Sequence, residues 1–512
     1  MKMRTRCWQL LLLESVAAFL VTQPHSLPGS YRPWSPRLAS NPRDPYATPK
    51  YTLREQSAAI CDAGSRSWAG TVAVGEGKSA FFWYFESRRA PETDPVILWM
   101  SGGPGATGEL GLFNGIGPCA VNQDGNSTRR EDFSWIDTAN VIFIDQPAGI
   151  GFGTIANRSQ FAVDLHQGGR ELYAFLDVFT ADIFPNLASH AWHLAGESMG
   201  GHYVTGYTHY LINQQRERGS KGLPISIHSV IAVDAYIDVT RESTGFYDFF
   251  CLDWDHTGRL PLMNETACEE MGAGVPECER LGAMCRATYD IKVCDAAADV
   301  CQSTVGKYFW GGVVPGGWNP YDSRVPCVEP PLCSDLGGGP PLRFLNQPWV
   351  QQSLIGKSGI DFELIDFDLN HRWSDGGHMQ LPVTRELTWL LDQTDIPFLF
   401  INGNNDIIIN TPGQIRMLDE QPWKGQAWFR AQVFQDWFYR HGELVMQGES
   451  RRSGAIKGGK WKGSKRLSIF TVEEAGHTSP FDQPEAVGAI IRSWLRPGTE
   501  RPATAASHPD DL

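Results

Sequence analysis

Short, uninterrupted apolar runs alternate with amphipathic stretches along most of the chain, and each run ends in a cluster of Gly, Pro, Asn or Asp. Ala80 to Glu86, Val96 to Met100 and Asn140 to Ile144 read as strands buried on both faces. Phe161 to Phe179 repeats at helical spacing. Trp192 to Ala195, Pro397 to Asn402 and Leu467 to Val472 are further strand-like runs, and Glu485 to Leu495 closes the pattern as a helix. Buried strands alternating with helices predict an α/β fold: a mostly parallel sheet with helices on both faces.

The pattern breaks between Cys251 and Cys333, where Gly and Pro are frequent and periodicity is weak. Eight cysteines fall in this stretch, which reads as an insertion held by disulfides rather than by a core. Regular patterning returns over Leu342 to Leu354. The expected organisation is a signal peptide (1–22), an extended arm (23–50), a first core segment (51–240), a disulfide-rich cap (241–341), a second core segment (342–496) and a polar tail (497–512).

Composition narrows the class. With 512 residues and 42% hydrophobic content the chain can bury a sizeable core, and a net charge of −14 argues against nucleic acid as a partner. The basic run from Arg451 to Arg466 is Gly- and Ser-rich and reads as a solvated loop. Lys2, Arg4 and Arg6 precede the apolar stretches Trp8 to Leu13 and Val16 to Val21, the signature of a secretory signal. No later run reaches transmembrane length, so no stable membrane insertion is expected. Removing Cys7 with the signal leaves ten of the 11 cysteines, an even number that suits five disulfides in an oxidising compartment. Asn126, Asn157 and Asn264 begin glycosylation sequons.

The chemistry centres on Gly196-Glu197-Ser198-Met199-Gly200, a G-x-S-x-G element at the end of a strand and the start of a helix. There a tight turn exposes the serine hydroxyl and aims the following N–H at the same point. Alone the pattern is weak in a chain with 53 glycines. A serine nucleophile also needs a base and a carboxylate to orient it, and Asp406 and His477 follow in the order Ser, Asp, His, each just after a predicted strand. Gly102 and Gly103, in the turn after Val96 to Met100, leave room for a second oxyanion donor beside the Met199 N–H. Losing one such donor costs about 3 kcal/mol of transition-state stabilisation. Gly103 to Gly108 also spells G-x-G-x-x-G, but Pro104 removes a donor that a dinucleotide site would use. His190 and His193 read as flanking a strand rather than holding zinc, and no cofactor or metal is implied.

At this point the sequence resembles the serine carboxypeptidases. The matching blocks are Phe81 to Ser87, Asp94 to Gly105, Asn140 to Gly149, Gly196 to Tyr203 and Ala475 to Glu485, and together they span about residues 50 to 495. The resemblance implies an α/β-hydrolase fold, Ser198 as nucleophile, His477 as general base and acid, Asp406 as its orienter, and Gly103 and Met199 as oxyanion donors. It implies that Glu197, with Ser101 and Gly102, binds the substrate's terminal carboxylate, and that Glu197 does so only when protonated, which favours acid pH. It further implies the pairs Cys278–Cys301, Cys285–Cys294, Cys251–Cys268 and Cys327–Cys333, which leaves Cys61 with Cys119 by arithmetic.

Three departures bear on specificity. Ser101 stands where the family has Asn, and Gly115 where it has a glutamate. Ala106 replaces a cysteine whose usual partner, near Ile365, is absent as well. The triad is intact and the carboxylate clamp is thinned. The leading expectation is a secreted, acid-active carboxypeptidase acting on peptide or protein C-termini. An esterase or acyltransferase on the same triad stays open, as does a binding relative without catalysis. Oligomeric state is not legible, nor is the choice between release to the medium and a vacuole- or lysosome-like compartment.

Overall fold

The computed structural model describes residues 50–333, 339–445, 454–464 and 466–496. The expected signal peptide, all but the last residue of the arm, and the tail lie outside the described residues. Strands β1 (Tyr51–Glu55), β2 (Ser67–Gly75), β3 (Lys78–Phe85) and β4 (Val96–Met100) come first, then β5 (Cys119–Val121) and β6 (Thr128–Arg130). Next are β7 (Asn140–Ile144), β8 (Thr154–Ile155), β9 (Ala191–Ser198) and β10 (Ser226–Ala235). After the insertion come β11 (Phe398–Gly403), β12 (Gln435–Arg440), β13 (Glu443–Val445), β14 (Ile456–Gly463) and β15 (Leu467–Val472).

One large sheet runs in the order β1-β2-β3-β7-β4-β9-β10-β11-β15-β14-β12-β13, with β8 beside β3. Its centre, from β7 through β4, β9, β10 and β11 to β15, is parallel throughout. Antiparallel strands extend it at both ends. Every residue of β4 and β7 is buried, because both faces of the sheet are covered. Successive side chains serve different cores. Val96, Leu98 and Met100 pack with Leu172, Phe175 and Tyr203, from helices Leu165–Val178 and Gly200–Arg218. Ile97 and Trp99 pack with Val487, Ile490 and Ile491 of helix Pro484–Leu495.

The insertion departs from expectation. It contains helices Glu265–Thr288 and Ile291–Thr304, each started by an acceptor side chain, Asn264 and Asp290 respectively. Seven-residue spacing sets Cys278 and Cys285 on one helix face and Cys294 and Cys301 on the other, so a helical hairpin brings them together as Cys278–Cys301 and Cys285–Cys294. The remaining pairs are Cys61–Cys119, Cys251–Cys268 and Cys327–Cys333, as anticipated. The insertion also has a small core of its own, with Phe246, Phe250, Met271, Val305 and Phe309 all buried. Disulfides and apolar packing therefore act together.

The basic run is a second correction. Its residues Ile456–Gly463 form β14 rather than a solvated loop, and Lys462 is 2% exposed, paired with Asp419 and lying over the rings of Phe429 and Phe434. Helix Val239–Cys251 runs across the boundary expected at 240/241. Asn126, Asn157 and Asn264 are all exposed. Among the described residues no helix is long and apolar enough to cross a membrane.

Candidate active site

Ser198 is the last residue of β9 and adopts φ +60, a left-handed conformation that costs a non-glycine residue roughly 1–3 kcal/mol. The strain follows from packing the turn against its neighbours. A Cβ on Gly200 would lie 2.7 Å from the Met100 carbonyl, and one on Gly196 2.8 Å from the Gly200 carbonyl. Helix Gly200–Arg218 starts at once, with Met199 at its N-cap. Ser198 stays half-buried while Glu197 and Met199 on either side are buried.

Asp406 and His477 come from the loops after β11 and β15, so the three groups stand at the C-terminal ends of parallel strands, where open α/β sheets place their ligands. His477 Nδ1 lies 2.7 Å from Asp406 Oδ2, with both side chains almost wholly buried. An Nδ1–H donated to a carboxylate leaves Nε2 as the free lone pair of a neutral ring. The other Asp406 oxygen accepts from the Ile409 N–H at 3.1 Å. Burial works against a charge on His477, but Asp406, Asp234 and Glu197 outweigh it and raise the ring to about 9.

The glycine turn after β4 presses onto the serine. A Cβ on Gly102 would meet the Glu197 carbonyl at 2.6 Å, the Met199 nitrogen at 2.7 Å and Ser198 Cβ at 2.8 Å. Gly103 has φ +104, open only to glycine, and precedes a cis Pro104. Ser101 is buried, and its hydroxyl oxygen accepts from the Trp99 indole at 3.1 Å, which leaves the hydroxyl proton to offer. Met100 pairs with Gly196, so Ser101 and Glu197 leave adjacent strand ends together. Glu197 is raised to about 7, chiefly by burial, with Asp406 and Asp482 adding to the shift and His477 opposing it. No glutamate reaches in from position 115: Gly115 has φ +83, and a Cβ there would meet the Pro480 carbonyl at 2.3 Å.

Two sets of residues near the triad were not anticipated. The return segment of the insertion buttresses both loops: the Tyr321 carbonyl accepts from the His477 N–H at 2.7 Å, and the Pro320 carbonyl accepts from Ile407 and Ile408. Asp482 accepts from the Gly476 N–H at 2.7 Å and pairs with Arg324 at 2.9 Å. His190 and His193 bond the Asp94 carbonyl and the Ser229 hydroxyl, and they do not converge on a common point. Ala106 and Ile365 face each other across an antiparallel bridge.

Residues 62–497 match the serine carboxypeptidase family. The chain belongs to that family. It is similar to carboxypeptidase Y homolog A of Phaeosphaeria nodorum, 28% identical over 429 residues that cover 82% of this chain and 71% of the relative. The corresponding protein of Aspergillus fumigatus is 29% identical over 452 residues, covering 87% and 77%. The vacuolar serine-type carboxypeptidase ATG42 of Saccharomyces cerevisiae is 28% identical over 434 residues, covering 84% and 79%. A solved prohormone-processing carboxypeptidase, KEX1(delta)p of Saccharomyces cerevisiae, superposes with a TM-score of 0.68 at 21% identity, covering 86% of this chain and 94% of that one. The fold is that of the α/β-hydrolases, and the carboxypeptidase is a distant member of its family.

Proposed function

We propose that this serine-type carboxypeptidase removes residues from peptide C-termini through Ser198, His477 and Asp406, with Gly103 and Met199 as oxyanion donors and Glu197, Ser101 and Gly102 receiving the terminal carboxylate. The observation that carries the reading is the buried 2.7 Å contact between His477 and Asp406 together with a serine strained to φ +60. His477 Nε2 takes the Ser198 proton as Oγ attacks the last peptide carbonyl, then gives it to the departing amino acid. Water, activated by the same nitrogen, hydrolyses the acyl-enzyme and regenerates the serine. Glu197 recognises a free carboxylate only as the neutral acid, since two carboxylates in contact repel, so recognition fails as pH rises through about 7 and acid conditions are favoured. Entry into the secretory path is supported by five disulfides and three exposed sequon asparagines.

A second reading, an esterase or acyltransferase, is favoured by Gly115, which brings no side chain to the site and is closed off by the Pro480 carbonyl. Labelling with an organophosphonate tests the common core of both: stoichiometric modification that S198A abolishes is expected. A folded protein that resists labelling would establish a binding relative instead.

A further inference from the structure

One buried acid close to the triad has no part in the reaction written above. After an earlier register shift at Ile227/Ser229, strand β10 pairs in step with β9 from Ser229 and His193 to Val233 and Glu197, then shifts again so that Ala235 faces Ser198 and Asp234 becomes an extra residue. Such a bulge re-aims a side chain next to a site. Asp234 has φ +43, in the left-handed region that an aspartate occupies at a cost, and it is wholly buried.

What holds this conformation is a set of bonds to all three carriers of the triad. Asp234 Oδ1 accepts from the Gly403 N–H at 2.7 Å, three residues before Asp406. Oδ2 accepts from the Ser479 N–H at 3.2 Å, two residues after His477. Two positions further along the bulge, the Tyr236 N–H donates to the carbonyl of Ser198 at 2.8 Å. The three consecutive residues Asp234 to Tyr236 therefore touch the serine elbow, the aspartate turn and the histidine turn, which come from separate strands. A residue there only to fill space would be apolar and unstrained. An acid in a strained bulge, with one oxygen on each turn, fixes a distance.

We propose that Asp234 is a positioning residue for the reaction: its carboxylate braces the Asp406 turn against the His477 turn, and the bulge that aims it holds both against Ser198. The inference rests on the triad reading given above. It predicts a loss confined to the chemical step, because displacing a reacting group by about 1 Å costs on the order of 100-fold while the substrate's binding contacts stay in place.

The test uses the full-length enzyme with D234A and D234N, steady-state kinetics on a blocked dipeptide, and the rate of organophosphonate labelling at Ser198. D234A removes both acceptors and is expected to lower kcat and the labelling rate by about 10- to 100-fold with KM changed less than about threefold. D234N keeps one acceptor oxygen and should fall between D234A and the parent, a partial rescue by the conservative variant. A folded D234A with parental kcat and labelling rate overturns the proposal, as does one in which KM alone rises. Where D234A fails to fold, D234N decides: a lowered kcat at constant KM supports the brace, and a parental kcat overturns it. A parent enzyme that is not labelled at all would sink the triad reading, and this inference with it, and so is told apart from failure of Asp234 alone.

Discussion

Glu197 and His477 make opposite demands on pH. In the proposed reaction Glu197, raised to about 7 by burial, must be protonated to receive a carboxylate, so KM for a free C-terminus should rise about tenfold per unit above that value. In the proposed reaction His477 must be neutral to act as a base, a demand eased at acid pH, where Glu197 is protonated and no longer helps to hold the ring up at about 9. The two are linked, because ionised Glu197 is one of the charges that raises the ring. Replacing Glu197 by Gln should therefore flatten the alkaline rise in KM and move the acid limb of kcat/KM to lower pH, read from initial rates between pH 4 and 9. A KM profile that still rises above pH 7 in E197Q would remove Glu197 from recognition. Stability follows with its own sign. A carboxyl whose folded pKa lies above its unfolded value stabilises the fold only at low pH and loses that contribution as pH rises from about 4.5 to 7. E197Q should thus melt higher than the parent at pH 8, by an amount on the order of 3 kcal/mol, and no higher at pH 4.

The antiparallel bridge between Ala106 and Ile365 lies close to where the resemblance to the family implies a disulfide. Thr107 N–H donates to the Leu364 carbonyl at 3.0 Å and Asp366 N–H to the Gly105 carbonyl at 2.9 Å, so Ala106 and Ile365 form the closely spaced, non-hydrogen-bonded kind of pair. Such pairs have Cα atoms about 4.5 Å apart, within disulfide range. A106C/I365C should oxidise spontaneously and stabilise the fold by up to about 5 kcal/mol, measured as a rise in Tm that a reductant reverses. No change in Tm despite a bond confirmed by mass would mean that backbone pairing already supplies the constraint.

Elements differed in how far they could be read. Val96 to Met100, Asn140 to Ile144 and Leu467 to Val472 were legible to the residue, because strands buried on both faces leave continuous apolar runs. The helix read over Phe161 to Phe179 starts later, at Leu165, since Asp164 caps it by accepting from the Gln167 N–H, and it runs on past Val178 as a π turn over Phe179–Ile183. The helical hairpin of the insertion was hidden by Pro276 and interspersed glycines, and β14 by its lysines. The meeting of Asp406 with His477 was legible from their order after Ser198, each just past a buried strand. Asp234 was not, because a bulge leaves no trace in hydrophobic pattern and its partners lie 169 and 245 residues away.

In the whole molecule, two cores on opposite faces of one sheet hold the strand ends fixed, and the insertion completes the site from outside. Its return segment brings Pro320 and Tyr321 onto the loops of Asp406 and His477, so backbone bonds tie the insertion to the proposed triad. Replacing Cys285 and Cys294 by alanine should cost about 2–5 kcal/mol locally. It should lower kcat at temperatures where the near-ultraviolet spectrum of the sheet's tryptophans is unchanged. Activity that persists until global unfolding would show that the insertion does not steady the triad.

Exopeptidase action by this triad turns on the terminal carboxylate. The most direct measurement compares kcat/KM at pH 5 for a blocked dipeptide with a free C-terminus and for its C-terminal amide. A charge-assisted hydrogen bond contributes roughly 1.5–3 kcal/mol, so the free acid should be preferred by about tenfold or more. Equal rates on acid and amide, or turnover of simple esters alone, would contradict the account.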